Sequence, residues 1–248
     1  MDEILEEYNN LNKLEIDKLT LEKLKSWNYK KIDTDGNQKF FKDNESYYLL
    51  KKKLNDEGNL LFVLPGLSIK SIAWTVGRIS YFLEKYPDKF KKFSEIHIFD
   101  FHELKKSKVI TDNLAEGSKI ISTHLDKIIR NINKDNKKVS ILGRSYGGGI
   151  AIRLAENDYI YGLNLASPGH DPKIGLMELL QKRDDLEIRI CSTKEDKKVN
   201  IKEIIRMINQ LYENKYREEY FDFEIFSIKP YEDFINHRIH DWSIQNLI

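Results

Sequence analysis

The sequence predicts an α/β chain: a mostly parallel sheet with helices on both faces. Three observations predict it. Short apolar runs of strand character alternate with segments of helical hydrophobic period from about residue 60 onward, and parallel neighbours need such crossovers. One strand-like run, 138–143, passes through a glycine-flanked serine straight into a helical segment. Finally, 248 residues, 40% hydrophobic and 11% aromatic, suffice to fill one core, as α/β chains of this length commonly do.

Taken in order, residues 2–25 carry Ile4, Leu5, Tyr8, Leu11, Leu14, Leu19, Leu21 and Leu24 at roughly helical spacing among Glu and Lys, which reads as one or two helices. A turn signal, Thr34-Asp35-Gly36-Asn37, follows. The aromatic-rich runs 39–42 and 46–52, separated by Asp43-Asn44-Glu45, read as a strand pair. The expected division is an N-terminal helical extension over 1–36 and a main domain over 37–248. Further strands are expected at 60–65, 95–100, 138–143, 159–165, 186–192 and 223–228. Helical patterns fall at 71–85, 113–133, 148–157, 174–183 and 200–216, with a short terminal piece after Asp241. Ligands of such sheets bind at the carboxyl ends of the strands.

Composition excludes several function classes. Forty-one Lys and Arg against 40 Asp and Glu leave a net charge of +1, unlike a general nucleic-acid binder, which must neutralise phosphates. The start, Met1-Asp2-Glu3-Ile4-Leu5-Glu6-Glu7, lacks the basic and apolar stretches of an export signal. The longest apolar run, 60–69, is broken by Pro65 and Gly66 and is too short for a membrane span. Cys191 is the only cysteine, so no intramolecular disulfide or thiolate-rich metal site can form, which fits a reducing, cytoplasmic compartment. The runs Lys51-Lys52-Lys53 and Lys105-Lys106-Ser107-Lys108 read as solvated strand ends or loops.

Chemistry concentrates in Gly143-Arg144-Ser145-Tyr146-Gly147-Gly148-Gly149. A serine on a tight strand-to-helix turn projects its hydroxyl above the sheet, glycines on both flanks avoid collisions, and the helix start aims N–H groups at developing negative charge. The plainer readings are that Ser145 only caps the helix or that the glycines cradle phosphate. Four of the chain's 12 glycines falling between 143 and 149, behind a strand, favour the nucleophile.

On these residues the chain resembles the α/β-hydrolase fold family, serine hydrolases of esterase and thioesterase type, over roughly 39–248. The resemblance implies an eight-stranded, mostly parallel sheet flanked by helices, a nucleophile after the fifth strand, and an acid and base following in that order. Ser145 is then the nucleophile. Asp196, in Asp196-Lys197-Lys198-Val199 after strand seven, takes the acid's place, with Glu195 and Asp171 as rivals. His240, in His240-Asp241-Trp242, takes the base's place, with His237 as the alternative. The oxyanion donors implied are the backbone amides of Tyr146 and Leu67. Leu64-Pro65-Gly66-Leu67-Ser68 departs from the family's usual His-Gly by carrying Pro65 before the glycine. His97, His102, His124 and His170 read as structural or loop residues.

The implied activity is hydrolysis of a small carboxylic ester or thioester through an acyl-serine, with no metal or organic cofactor. The interval 166–185 between strands six and seven has room for a loop and one helix, so little or no lid is expected. Arg144, Tyr146, His170 and Trp74 are candidates to shape the pocket. Rival readings are an acyltransferase on the same triad, a hydrolase-fold binding or scaffolding protein without turnover, and a nucleotide binder using Gly147-Gly148-Gly149, which lacks a Walker lysine.

Overall fold

The computed structural model describes residues 28–33, 46–67, 86–100, 113–169, 183–193 and 221–226, with helical positions 75, 79, 80, 82–84, 176, 178, 179, 182, 202 and 209. Within them, eight strands form one sheet: β1 Asn28–Asp33, β2 Ser46–Lys53, β3 Asn59–Leu64, β4 Phe93–Asp100, β5 Val139–Arg144, β6 Ile160–Ala166, β7 Glu187–Thr193 and β8 Phe221–Phe226. Their spatial order is β1-β2-β4-β3-β5-β6-β7-β8. Strand β2 runs antiparallel to both β1 and β4, and every pairing from β4 across to β8 is parallel. After β3 the chain moves to one side to make β4, then returns across β3 to make β5. In open α/β sheets such a reversal marks where ligands bind, at the carboxyl ends of the strands beside it, here β3 and β5.

Seven strands lie within two residues of their expected positions. The first does not. Asn28–Asp33 pairs with Ser46–Lys53, Tyr29 opposite Leu50 and Asp33 opposite Ser46, in place of the 39–42 run, which lies outside the described residues. Thus β1 falls ahead of residue 37. The physical reason is position: among the described residues β1 is an edge strand, bonded on one side only, and a lysine-bearing sequence suits an edge that must not recruit other chains. Such a strand has no apolar run to announce it. The helical pattern at 2–25 and the terminal piece after Asp241 also lie outside the described residues.

Strand β3 shows how the two faces are built. Leu60, Phe62 and Leu64 point to one face and Leu61 and Val63 to the other, all buried, as the period of two requires. On the first face they meet helix α1, Leu114–Ile132, through Ile121, Leu125 and Ile129, and helix α2, Tyr146–Leu154, through Ile150, Ala151 and Leu154. The second face packs Ile96, Ile98 and Leu142 on Ile79 and Phe82, whose positions are helical, as the 71–85 pattern predicts. Each fully buried side chain of this size contributes about 1.5–3 kcal/mol.

Asparagines set both ends of α1. Asn113 Oδ1 accepts the Glu116 N–H at 3.1 Å, and the Asn133 side chain exchanges two 2.8 Å hydrogen bonds with the Lys137 backbone. A 3-10 helix, Pro87–Phe90, stands where the sequence predicts no element; its start tolerates the donor that proline lacks. Among the described residues, no helix is long and apolar enough to cross a membrane.

Candidate active site

Strand β5 is buried along its whole length between β3 and β6. Its ladder continues one residue further, where the Ser145 N–H donates to the Ala166 carbonyl at 3.0 Å. There the chain turns. Ser145 has φ 50° and ψ −119° and stands at the N-cap position of α2. An ordinary N-cap serine has extended backbone and uses its hydroxyl to accept an N–H of the first turn. Ser145 does neither: its φ lies where side chains collide with the backbone, and its side chain makes no capping bond. Helix α2 therefore begins at Tyr146, two residues earlier than the periodicity of 148–157 suggests, and the serine is left on the turn, partly exposed.

The glycines account for how tightly that turn is held. A Cβ on Gly147 would lie 2.0 Å from the Leu64 carbonyl oxygen and 2.6 Å from that of Pro65, so the first turn of α2 rests on the backbone leaving β3. A Cβ on Gly148 would lie 2.8 Å from Pro168 Cα, so the other side rests on the turn leaving β6. Gly143, on the strand side, has Ala151 Cβ 2.6 Å from where its own Cβ would be. These residues are glycine because backbones on both sides approach where a side chain would stand. A phosphate cradle is not needed to explain them, and the Gly148 N–H already donates to the Ser145 carbonyl at 2.9 Å.

That carbonyl takes a second hydrogen bond, from Gly169 N–H at 2.8 Å. The Ser145–Tyr146 peptide is trans, and in a planar trans peptide C=O and N–H point in opposite directions. Two donors on the carbonyl thus fix where the Tyr146 N–H points. The Tyr146 side chain is buried in the core beside Ile150, and burial pushes its phenol far above the usual range. Its side chain packs in the core, while its amide belongs to the turn. Leu67, source of the other expected amide, follows the Leu64-Pro65-Gly66 turn, partly buried against the same core.

Three expected site residues, Ser145, Tyr146 and Leu67, are therefore placed on two adjoining turns at the carboxyl ends of β3 and β5. Asp196, His240 and their rivals Glu195, Asp171 and His237 lie outside the described residues, as do His170 and Trp74. Arg144 is buried at the end of β5. His97 is remote: it pairs in register with Phe62, which pairs with Ile141, four residues short of Ser145. Its ring stacks on Phe62 at 4.7 Å between centroids, and its Nε2–H donates to Glu95 at 2.9 Å. His124 sits half-buried on α1, where burial and then Lys127 lower its imidazole. His97 is structural, as the sequence suggests. The described residues contain no cluster of His, Cys, Asp and Glu able to hold a metal ion.

Sequence reasoning missed the Ser167-Pro168-Gly169 turn after β6. A Ser-Pro-Gly run after a strand signals a turn and no more; its contact with the nucleophile turn is a tertiary fact.

With this geometry in view, comparison with solved structures is decisive for the fold. A predicted CIB-like hydrolase from Thermoplasma acidophilum superposes with a TM-score of 0.57 over 89% of this chain and 97% of that one, at 15% identity. The chain has the α/β-hydrolase fold. A lidless α/β serine hydrolase from Xanthomonas campestris matches at TM-score 0.57, covering 89% of this chain and 92% of the other at 11% identity. Esterase 2 of Thermogutta terrifontis, in a form phosphorylated by paraoxon, matches at 0.59, covering 90% and 94% at 12% identity. By sequence, neither a protein-family profile nor any curated protein matches. The eight-stranded, mostly parallel sheet and the place of Ser145 after its fifth strand agree with the sequence expectation.

Proposed function

We propose that the protein is a serine hydrolase that cleaves a small carboxylic ester or thioester through an acyl-serine. The observation that carries the reading is the backbone of Ser145: a partly exposed serine in a strained conformation, on a turn wedged between two others, with its hydroxyl excused from capping the helix it precedes. Strain of this kind costs on the order of 1–3 kcal/mol and persists where something is gained by it.

In the proposed mechanism His240 takes the Ser145 proton as Oγ bonds to the acyl carbon, and Asp196 holds the imidazole and stabilises its positive form. The amides of Tyr146 and Leu67 receive the developing oxyanion. Collapse expels the alcohol or thiol, which leaves with the proton from His240. Water then bonds to the acyl carbon, its proton passes through His240 back to Ser145, and the carboxylic acid departs. Proline at position 65 is compatible with this, since the donor on that side is a backbone N–H of Leu67. The setting we infer, a compact site with little or no lid in a cytoplasmic protein, suits small or medium acyl groups.

The test is turnover of p-nitrophenyl esters of increasing chain length against acyl-CoA and acyl-carrier thioesters, with Ser145→Ala as control. Hydrolysis by the wild type and its loss in the variant are expected. A folded wild type without turnover on any of them would favour a scaffolding role.

A further inference from the structure

Resting on the reading of Ser145 as nucleophile, we infer that Ser167 is a positioning residue, which with Ser192 sets the direction of the Tyr146 amide. Ser167 follows β6 with φ 42°, a left-handed conformation normally left to glycine. It is buried, 5% exposed, and held from both ends: its N–H donates to the Cys191 carbonyl at 2.8 Å, and its hydroxyl lies 3.3 Å from that of the fully buried Ser192 on β7. A glycine would adopt this backbone without strain, so the serine is explained by its hydroxyl.

The bend at Ser167 has two consequences. It brings Pro168 against Gly148, and it delivers the Gly169 N–H to the Ser145 carbonyl at 2.8 Å. That second bond holds the Ser145–Tyr146 peptide plane, and the plane aims the Tyr146 N–H. The hydroxyl pair therefore ties the nucleophile turn to β7, the strand that leads to the segment carrying Asp196. Ser167 touches no reacting atom in this account. It acts through Gly169, so its loss blunts the chemical step and leaves binding alone.

The experiment compares Ser167→Gly, Ser192→Ala and the double variant in the full chain. It reads kcat and KM on a p-nitrophenyl ester, the rate of labelling by a fluorophosphonate, and exchange of the Gly169 amide by NMR. Expected is a roughly tenfold fall in kcat and labelling rate, the scale of a slightly misaligned oxyanion donor. KM should be unchanged, Gly169 exchange faster, and the double variant no worse than either single one. Melting of Ser167→Gly at or above the wild-type temperature separates this from a folding defect, because glycine relieves the φ. An active wild type with unchanged kcat, labelling and Gly169 exchange in both single variants would overturn the inference and leave the hydrolase reading standing. A wild type that neither turns over nor labels would overturn both.

Discussion

Gly147 and Leu64 approach so closely that a Cβ on the glycine would sit 2.0 Å from the leucine carbonyl oxygen. The two expected oxyanion donors flank this contact in sequence, Tyr146 on one side and Leu67 on the other, so one backbone contact sets their relative positions. Gly147→Ala must push α2 away from the β3 turn. The expected outcome is a loss of about 3 kcal/mol or more of stability, read by chemical denaturation, together with loss of ester turnover. Retained stability and turnover would show that the two turns are not in the contact described.

His97 gives a pH dependence with a definite sign. Burial pushes its imidazole down to about 4 from an ordinary 6.5, against the opposing pull of the Glu95 carboxylate, while Lys51 adds to the lowering. The folded protein keeps it neutral where the unfolded chain would protonate it, so the unfolded state binds more protons between about 4 and 6.5. Stability from this residue is complete above pH 6.5 and is lost as pH falls toward about 4, by at most about 3 kcal/mol. As pH falls through that window, the urea midpoint of the wild type should drop relative to that of His97→Phe. Parallel curves would assign the acid sensitivity elsewhere.

Arg183 is a buried clamp. Its guanidinium donates to the carbonyls of Ala155 (3.0 Å), Asn157 and Ile160 (2.7 Å), joining the end of α2 to the start of β6, and to Asp185 at 2.7 and 2.8 Å. Arg183→Met strands these carbonyls and should cost about 3 kcal/mol. Asp185→Asn, on an exposed partner, should cost under about 1 kcal/mol. Equal losses from the two, measured by denaturation, would contradict the clamp.

Much of this fold could be read from residues alone, and the exceptions are instructive. β3 and β5 are buried on both faces, so the apolar run of β3 and the Val139, Ile141 and Leu142 of β5 declare them. Asn113 and Asn133 bound α1 because their short amides suit helix ends. The glycine-serine motif marks the turn because backbone approaches at Gly147 and Gly148 leave no room for a side chain. What stayed hidden was decided by tertiary contact: β1, an edge strand that needs only one neighbour, and Ser167, whose left-handed backbone no serine announces. The start of α2 also eluded the periodicity, since Tyr146 and the glycines face inward for reasons of packing.

For the acid and base, the expected outcome is a selective loss. His240→Gln and Asp196→Asn should each lower kcat on the order of 10³-fold or more. His237→Gln, Glu195→Gln and Asp171→Asn should leave it within a few fold. The pattern is read by steady-state kinetics on one p-nitrophenyl ester. A large loss in one of the second group and none in its counterpart would transfer the role.

The most direct measurement is the site of an organophosphate adduct. Reaction with paraoxon followed by peptide mass mapping should place a single diethylphosphoryl group on Ser145 in the wild type and none in Ser145→Ala. An adduct on another residue, or one that survives in Ser145→Ala, would contradict the account.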